Sequence, residues 1–148
     1  MLFESKALPT QNMNRNYEHI TGSIEKDSDD NLCRQILESE PAIRVAAFIE
    51  GAEVTGYAET TRTKNVMSQN SDLRKKIGFW VRMVTEMSRQ TDKMFGSTES
   101  VTVTHKGLRM VTVPLSQYTS LGLSIDRSAD ADHIIQKITA KFQLGSTN

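Results

Sequence analysis

Residues 43–59 read IRVAAFIEGAEVTGYAE, two apolar runs separated by a glycine, and they predict a pair of antiparallel strands. The first run is apolar on both faces, a pattern typical of a strand covered on both sides. Its faces are Ile43, Val45, Ala47 and Ile49 on one side, and Ala46 and Phe48 on the other. The second run places Val54, Gly56 and Ala58 on one face. The hairpin therefore predicts a sheet whose first strand lies inside the protein.

A short helix is predicted before this hairpin. Four apolar residues share one helical face, and three short polar residues stand where a cap is needed. The face is Leu32, Cys33, Ile36 and Leu37, and the possible caps are Asp29, Asp30 and Asn31. Pro41 ends the helix, because the residue before a proline is pushed out of the helical region. We interpret Cys33 as a core residue, since no activating base lies near it in sequence.

A long helix is predicted after the hairpin, from Ser71 or Asp72 to Gly96, and the polar residues 60–70 before it are predicted to form a loop. Its apolar residues recur at spacings of three and four. They are Leu73, Ile77, Trp80, Val81, Val84, Met87 and Met94, with Met83 and Phe95 at the margins. Burying each of these side chains contributes ~1.5–3 kcal/mol, so the apolar stripe decides where the helix docks.

Three further strands and a closing helix complete the pattern. The strands are predicted at residues 101–105, 108–115 and 121–125, and their short turns make them antiparallel neighbours. The helix is capped by Ser128 or Asp130 and ends at Gly145. Its apolar face is Ile134, Ile135, Ile138 and Phe142. The order over residues 29–143 is αββαβββα, which predicts an α+β sandwich.

Composition narrows the class of protein. The 148 residues suit one domain, which we expect at residues 29–148, after a flexible or loosely docked tail at residues 1–28. Lys and Arg together number 18, as do Asp and Glu, so general attraction to nucleic acid or to an anionic membrane is not expected. The apolar runs are too short to span a bilayer, and one cysteine excludes an intrachain disulfide. We expect a cytoplasmic protein.

No residue pattern predicts catalysis, and we expect neither an enzyme nor a bound cofactor or metal. Asp126, Asp130 and Asp132 with His133 resemble a metal site, but the glycine and the distal glutamate of a calcium loop are missing. The interpretation favoured here is that these acidic residues begin a helix. Phosphate-binding loops, dinucleotide fingerprints and serine-nucleophile motifs are absent from the sequence.

A basic group lies around the predicted start of the long helix. It consists of Arg62, Lys64, Arg74, Lys75 and Lys76. Cations at this end oppose the helix dipole, which leaves room for an anionic partner. Since no aromatic residue is interleaved, we favour a solvated face over a nucleic-acid site.

The long helix and the strand after it form the candidate surface for a partner. Methionine is adaptable and enriched at interfaces, and an unpaired strand edge invites another chain. The candidate residues are Trp80, Met83, Met87, Val101, Val103 and His105. Two interpretations of the methionines stay open at this point: they contact a partner, or they fill gaps in the core.

Four stretches carry a resemblance to a known family. They are residues 33–44, from CRQIL to the IR that begins the first strand; the hairpin at 46–58; the Met-rich helix; and VTVPL at 111–115 followed by residues 123–132. Over about residues 29–143 the chain resembles the roadblock / dynein light-chain superfamily, which has a profilin-like fold. It is most similar to a group of archaeal proteins of uncharacterised function with that fold.

The resemblance implies a five-stranded antiparallel sheet with the long helix on one face and the first and last helices on the other. It also implies dimerisation through the long helix and the following strand, with roles in scaffolding and in regulating small GTPases. The glycine at 122 departs from the larger apolar residues that the family usually keeps in this strand.

Two functions follow as hypotheses. The first is a non-enzymatic protein-interaction module, a homodimer that scaffolds or regulates an unknown protein partner. The alternative is a small-molecule sensor of the profilin or PAS type, with a ligand between sheet and helix. In the sensor, the small residues Gly56, Ala58 and Gly122 would leave the space. A cavity between sheet and helix would favour the sensor.

Overall fold

The computed structural model describes residues 28–63 and 66–145. The helices are α1 (28–39), α2 (Val66–Gln69), α3 (Ser71–Arg89), α4 (Asp92–Phe95) and α5 (Ala131–Lys141), with a 3₁₀ turn at Thr61–Thr63. The strands are β1 (Ile43–Glu50), β2 (Glu53–Glu59), β3 (Val101–Thr104), β4 (Leu108–Pro114) and β5 (Thr119–Asp126). Residues 1–27, nearly the whole predicted tail, lie outside the described residues.

The five strands form one antiparallel sheet in the order β2-β1-β5-β4-β3. Helices α1 and α5 pack on one face, and α3 packs on the other. This confirms the α+β sandwich and the five-stranded antiparallel sheet. It also confirms that the first strand is internal and that the strand after the long helix is an edge.

The larger core lies between the sheet and the helices α1 and α5. Cys33 and Ile36 of α1 and Ile134 and Ile138 of α5 are buried there. Strands β1, β4 and β5 contribute Ile43, Ala46, Phe48, Val111, Val113, Leu121, Leu123 and Ile125. The prediction that Cys33 is a core residue is confirmed.

The smaller core lies under α3. Its buried members are Ala47, Ile49 and Val81, and its partly buried members are Val54, Tyr57, Ile77 and Trp80. These sheet residues come only from β1 and β2, so α3 has apolar cover on one half of the face. The other half, over β4 and β3, is covered less completely.

Two β-bulges change which residues share a face. Between Ile43 and Val45 the pairing with β5 shifts by one residue, so Ile43 packs with α1 and α5 instead of under α3. A second shift lies in the β1–β2 hairpin, where Phe48 pairs with Gly56 but Ile49 pairs with Val54. As a result Val54 packs under α3, and the predicted faces of both strands are wrong at these positions.

The helices also differ from the prediction at their ends. The long helix ends at Arg89, and a separate short helix, α4, follows it. The predicted loop at 60–70 contains the 3₁₀ turn and α2. Since residue 28 is already helical, the three predicted caps lie inside α1 and not before it. Asp130 does cap α5, accepting a hydrogen bond from the His133 N–H at 3.2 Å, but α5 ends at Lys141.

Helix α3 is held at both ends. At its start the Asn70 side chain accepts the Leu73 N–H at 2.9 Å. Near its end the Arg89 guanidinium donates to the carbonyl oxygens of Ser116 and Gln117 in the β4–β5 turn. Within the residues that the structure describes, no helix is both long and apolar enough to cross a membrane.

Close to its middle, α3 touches the β1–β2 turn through Gly78. A Cβ atom on this residue would overlap the carbonyl oxygen of Ala52. Backbone atoms cannot rotate away as a side chain can, so the helix would have to move to make room. Gly78 therefore sets how closely α3 approaches the hairpin.

We expect Gly78→Ala to lower the free energy of unfolding by ~1–3 kcal/mol, the usual range for overpacking. Helix propensity alone would favour alanine by about 1 kcal/mol, so a loss of stability isolates the steric contact. Urea denaturation measures the change. The matched control is Gly107→Ala in the β3–β4 turn, where a Cβ meets nothing within 4 Å. Equal stability of the two variants would contradict the contact.

Candidate functional site: an interaction surface and a central cavity

The face of α3 that points away from the sheet carries large apolar side chains. Phe79, Met83 and Met87 follow one another at four-residue spacing and are 60%, 45% and 66% exposed. We call these three residues the apolar strip. Large apolar side chains in a row on a surface are typical of an interaction site. Their exposure excludes the interpretation that Met83 and Met87 fill gaps in the core of this chain.

The two edges of the sheet differ in whether their outer hydrogen-bonding groups have partners. Beside β2, the Asp30 carboxylate of α1 accepts the Tyr57 N–H at 3.0 Å, and Asp29 accepts the Thr55 hydroxyl at 2.9 Å. At the opposite edge, β3 pairs with β4 alone in the described part of the sheet. An edge whose outer backbone groups lack partners can add a strand from another chain.

A groove lies between α3 and this open edge, and Trp80 in its wall is one helical turn from Met83 of the apolar strip. It has a volume of about 350 Å³ and is lined by Lys76, Ile77, Trp80, Val103, His105 and Met110. We call it the edge groove. Trp80 and Val103 are half-buried in it, and His105 is exposed at its end. Alternation along β3 places Val101 on the same face as Val103.

All six candidate partner residues therefore lie on one side of the molecule. Trp80, Met83 and Met87 come from α3, and Val101, Val103 and His105 come from β3 and the residue after it. Their role in binding stays a prediction. Phe79 was not among them, although its four-residue spacing from Met83 could have revealed it.

The basic group near the start of α3 is largely engaged within the chain. Arg74 donates to the Met67 carbonyl oxygen and stacks on the Tyr57 ring at 5.6 Å. Lys76 pairs with Asp72 at 3.4 Å, in an exposed i,i+4 pair. Lys64 lies outside the described residues. These contacts agree with a solvated face and give no support to a nucleic-acid site.

A second hollow, the central cavity, lies between the sheet and α3 and has a volume of about 340 Å³. Ile77 and Val81 of α3 and Met67 of α2 lie on the helical side. The sheet side is formed by Val45, Ala47, Ile49, Met110, Thr112, Gly122 and Ser124, from the three inner strands. The volume falls in the range of small-molecule pockets, about 300–1,000 Å³.

Small side chains create this cavity. Ala47, Thr112, Gly122 and Ser124 lie side by side in β1, β4 and β5, where larger residues would reach α3. A Cβ on Gly122 would lie 3.3 Å from the Ile49 Cδ1 atom, so even one added carbon makes contact. The expectation that Gly122 leaves space is consistent with its place in the cavity wall.

Gly56 and Ala58 do not contribute to this space, and the expectation for them is wrong. Both lie on the opposite face of the sheet, because the bulge in the hairpin separates them from Val54. A Cβ on Gly56 would lie 2.6 Å from the Cβ of Asp29, so this glycine allows α1 to approach β2. Ala58 packs against the larger core.

Helix α2 closes one side of the central cavity and is held by Glu59. The Glu59 carboxylate accepts the Met67 N–H at 3.0 Å, the Ser68 N–H at 2.9 Å and the Thr63 hydroxyl at 2.8 Å. Burial raises the pKa of this carboxyl, but these hydrogen bonds outweigh burial and lower the pKa overall. The Glu59 carboxylate thereby positions Met67, which is buried in the cavity wall.

Two arginines line the central cavity at the end of the sheet where β1 begins. The Arg44 Nε donates to Asp126 Oδ1 at 2.8 Å, and the Arg62 Nη1 donates to the same oxygen at 3.2 Å. The hydrogen bond from Arg44, together with the charge of Arg62, lowers the pKa of Asp126. Arg44 was missed as a site residue, although a lone charge in an apolar strand marks it in the sequence.

The remaining candidates for chemistry have structural roles. Burial raises the pKa of the Cys33 thiol to about 12, so this cysteine is a poor nucleophile. The acidic cluster is divided, since Asp126 pairs with arginines while Asp130 caps α5. Among the described residues, no group of three potential ligands could hold a metal ion.

Comparison with known proteins shows the fold. No family model and no curated protein matches the chain by sequence. The roadblock/LC7 domain from Streptomyces avermitilis matches with a TM-score of 0.62 at 14% identity, over 77% of this chain and 91% of that one. MglB in a tetrameric arrangement matches with a TM-score of 0.61 at 12% identity, over 78% of this chain and 82% of that one. The gliding protein MglB from Thermus thermophilus matches with a TM-score of 0.57 at 12% identity, over 75% of this chain and 79% of that one.

At these identities the likeness establishes the fold and nothing finer. The chain has the roadblock/LC7 fold, which confirms the fold that the resemblance implies. The narrower resemblance to archaeal proteins stays a prediction.

The arginine–Asp126 contacts predict a pH-dependent contribution to stability. The pKa of Asp126 is lower in the folded protein than in the unfolded chain. The contribution is therefore complete at a pH above the unfolded-state pKa, and it is lost as the pH falls through the folded-state pKa. We expect Asp126→Asn to lower the free energy of unfolding at about pH 7, as measured by urea denaturation. The loss should be less than about 1 kcal/mol, because the charged groups are partly exposed.

The difference should shrink as the pH is lowered below the usual pKa of an aspartate, ~3.9, because the folded wild-type carboxylate takes up its proton there. Glu99→Gln is the control, because Glu99 is exposed and has no ion pair among the described residues. A gap between wild type and Asp126→Asn that stays constant with pH would contradict the assignment.

Proposed function

We propose that this roadblock-fold chain is a non-enzymatic protein-interaction module that works as a homodimer, scaffolding or regulating another protein. The observation that carries the proposal is the continuity of three features on one side of the molecule. The apolar strip on α3 adjoins the edge groove, and the groove adjoins the open edge of β3.

A second copy of the chain suits this surface physically. Two copies related by a two-fold axis can pair β3 with β3 antiparallel, which satisfies the outer backbone groups of both strands. The same axis relates α3 of one copy to α3 of the other, and we propose that the two apolar strips meet across it. The covered edge of β2, where Asp30 binds the Tyr57 N–H, offers no equivalent site.

The partner class belongs to the same proposal. The roadblock resemblance implies regulation of small GTPases, and we propose a partner of that type in the cytoplasm. Equal numbers of acidic and basic residues argue against nucleic acid or a membrane surface as the partner. One MglB structure has a tetrameric arrangement. This is a property of that protein, and it agrees with the proposal that chains of this fold assemble with copies of themselves.

A second candidate function is a small-molecule sensor. The central cavity favours it, because the space lies between sheet and helix, as a sensor requires, and has the size of a ligand pocket. The two functions are compatible, since the cavity and the apolar strip lie on opposite sides of α3.

The dimer is tested with the double variant Met83→Lys, Met87→Lys. Both side chains are exposed in the single chain, so the variant should fold, as circular dichroism checks. Losing two apolar contacts of ~1.5–3 kcal/mol each should raise the dimer dissociation constant about 100-fold or more. Light scattering coupled to size-exclusion chromatography measures the mass of wild type and variant over a concentration series.

The control is Tyr118→Lys, which replaces an exposed aromatic residue of the β4–β5 turn outside the proposed interface. It should leave the mass of the dimer unchanged. A wild-type chain that stays monomeric at high micromolar concentration would exclude the homodimer.

The partner class is tested by retention of GTP-binding proteins from an extract of the native organism. Immobilised wild type should retain a small GTPase in the presence of a non-hydrolysable GTP analogue and lose most of it with GDP. Retention of other proteins alone, independent of the nucleotide, would point to a scaffold without a GTPase partner.

A further inference from the structure

The composition of the central cavity restricts what it can bind. Most of its wall is apolar, from Ile49, Ile77, Val81 and Met110 with the methionine of α2. Among the described residues, the charged side chains that line it are Arg44 and Arg62, which lie together at one end. A ligand that matches this wall has an apolar body and one anionic end.

Among the described residues, one carboxylate is paired with the two arginines at this end. Two guanidinium groups share one carboxylate oxygen, the Oδ1 of Asp126. Glu59, the carboxylate beside the 3₁₀ turn, is already occupied by two backbone N–H groups and the Thr63 hydroxyl. Glu59 keeps its charge, since hydrogen bonds from neutral groups do not cancel it. The attraction for a second anion therefore comes from guanidinium donors that Asp126 does not use.

Arg44 also has free donors. It binds Asp126 through Nε, and none of the hydrogen bonds within the described residues comes from its two terminal nitrogens. Arg62 uses one terminal nitrogen for Asp126 and the other for the Pro41 carbonyl oxygen. The pair of terminal nitrogens on a guanidinium matches the two oxygens of a carboxylate. Arg44 is thus equipped to hold a ligand carboxylate at the cavity.

The volume sets the length of the ligand. At about the 30 Å³ that a water molecule occupies in the liquid, 340 Å³ holds about ten non-hydrogen atoms. Octanoate is a monocarboxylate of that size. Longer chains would extend beyond this volume, so we expect them to bind no more tightly than octanoate.

We propose that the central cavity binds a medium-chain aliphatic monocarboxylate, with its chain between the sheet and α3 and its carboxylate held by Arg44 and Arg62. The proposal rests on the sensor candidate and names its ligand class. It is independent of the homodimer.

The test is calorimetric titration of the full chain at neutral pH with octanoate, octan-1-ol and octylamine, with thermal unfolding as a second readout. All three share the apolar chain and differ in the charge of the head. We expect octanoate to bind at least about tenfold more tightly than the alcohol, as for hydrogen bonds to charged groups, and the amine to bind least. Octanoate should also raise the melting temperature in a concentration-dependent way.

Two variants separate the head from the chain. Arg44→Gln removes the terminal nitrogens that are not bonded to Asp126, so it should weaken octanoate about tenfold and leave octan-1-ol unchanged. Ser124 is half-buried in the sheet side of the cavity, so Ser124→Leu fills the space. This variant should abolish binding of both octanoate and octan-1-ol. Glu99→Gln again serves as the control for a change of charge far from the cavity.

The outcomes distinguish the two levels of the proposal. Equal binding of octanoate and octan-1-ol, both lost in Ser124→Leu, would overturn the carboxylate and leave the sensor standing. No binding of any of the three would overturn both. Octanoate binding that survives Ser124→Leu would place the ligand outside the cavity and overturn the site.

Discussion

One helix has to cover a whole face of the sheet, and the rest of the structure depends on that constraint. Five strands at 4.7–4.9 Å spacing span about 20 Å, whereas a helix with its side chains is about 10–12 Å wide. On the opposite face, α1 and α5 together enclose a continuous core. Under α3 the buried apolar side chains come from β1 and the helix itself, and α3 covers β4 and β3 less completely. The central cavity and the edge groove both lie where the cover is incomplete.

The order of elements was predictable because each apolar period belongs to one kind of structure and is local in sequence. The faces of β1 and β2 were less predictable, because a bulge shifts the alternation without changing the residue types. Ile43 and Val54 are apolar whichever way they point, so nothing in the pattern distinguishes the two faces. Their direction depends on the register of the neighbouring strand, which is set by contacts distant in sequence.

The candidate site was predictable to a similar degree. Apolar spacing identified Met83 and Met87, but exposure decides whether a methionine fills a core or faces a partner, and exposure depends on how α3 is rotated. Arg44 is visible as a charge in an apolar strand. Its partner Asp126 is 82 residues away, so only the fold reveals that the two meet beside Arg62. Of the three small residues expected to leave space, Gly122 alone lines the cavity, because the hairpin bulge turns the other two away.

The contact between Gly78 and the Ala52 carbonyl oxygen has a consequence for association. Turning α3 by one residue would place Ile77 or Phe79 against that oxygen, where neither side chain fits. The helix therefore has a single rotational setting, and Arg89 fixes its far end to the β4–β5 turn. The direction in which the outward side chains leave the helix is thereby fixed before any partner arrives. A backbone ordered in advance loses little backbone entropy on binding, which favours a stable complex over a modest apolar area.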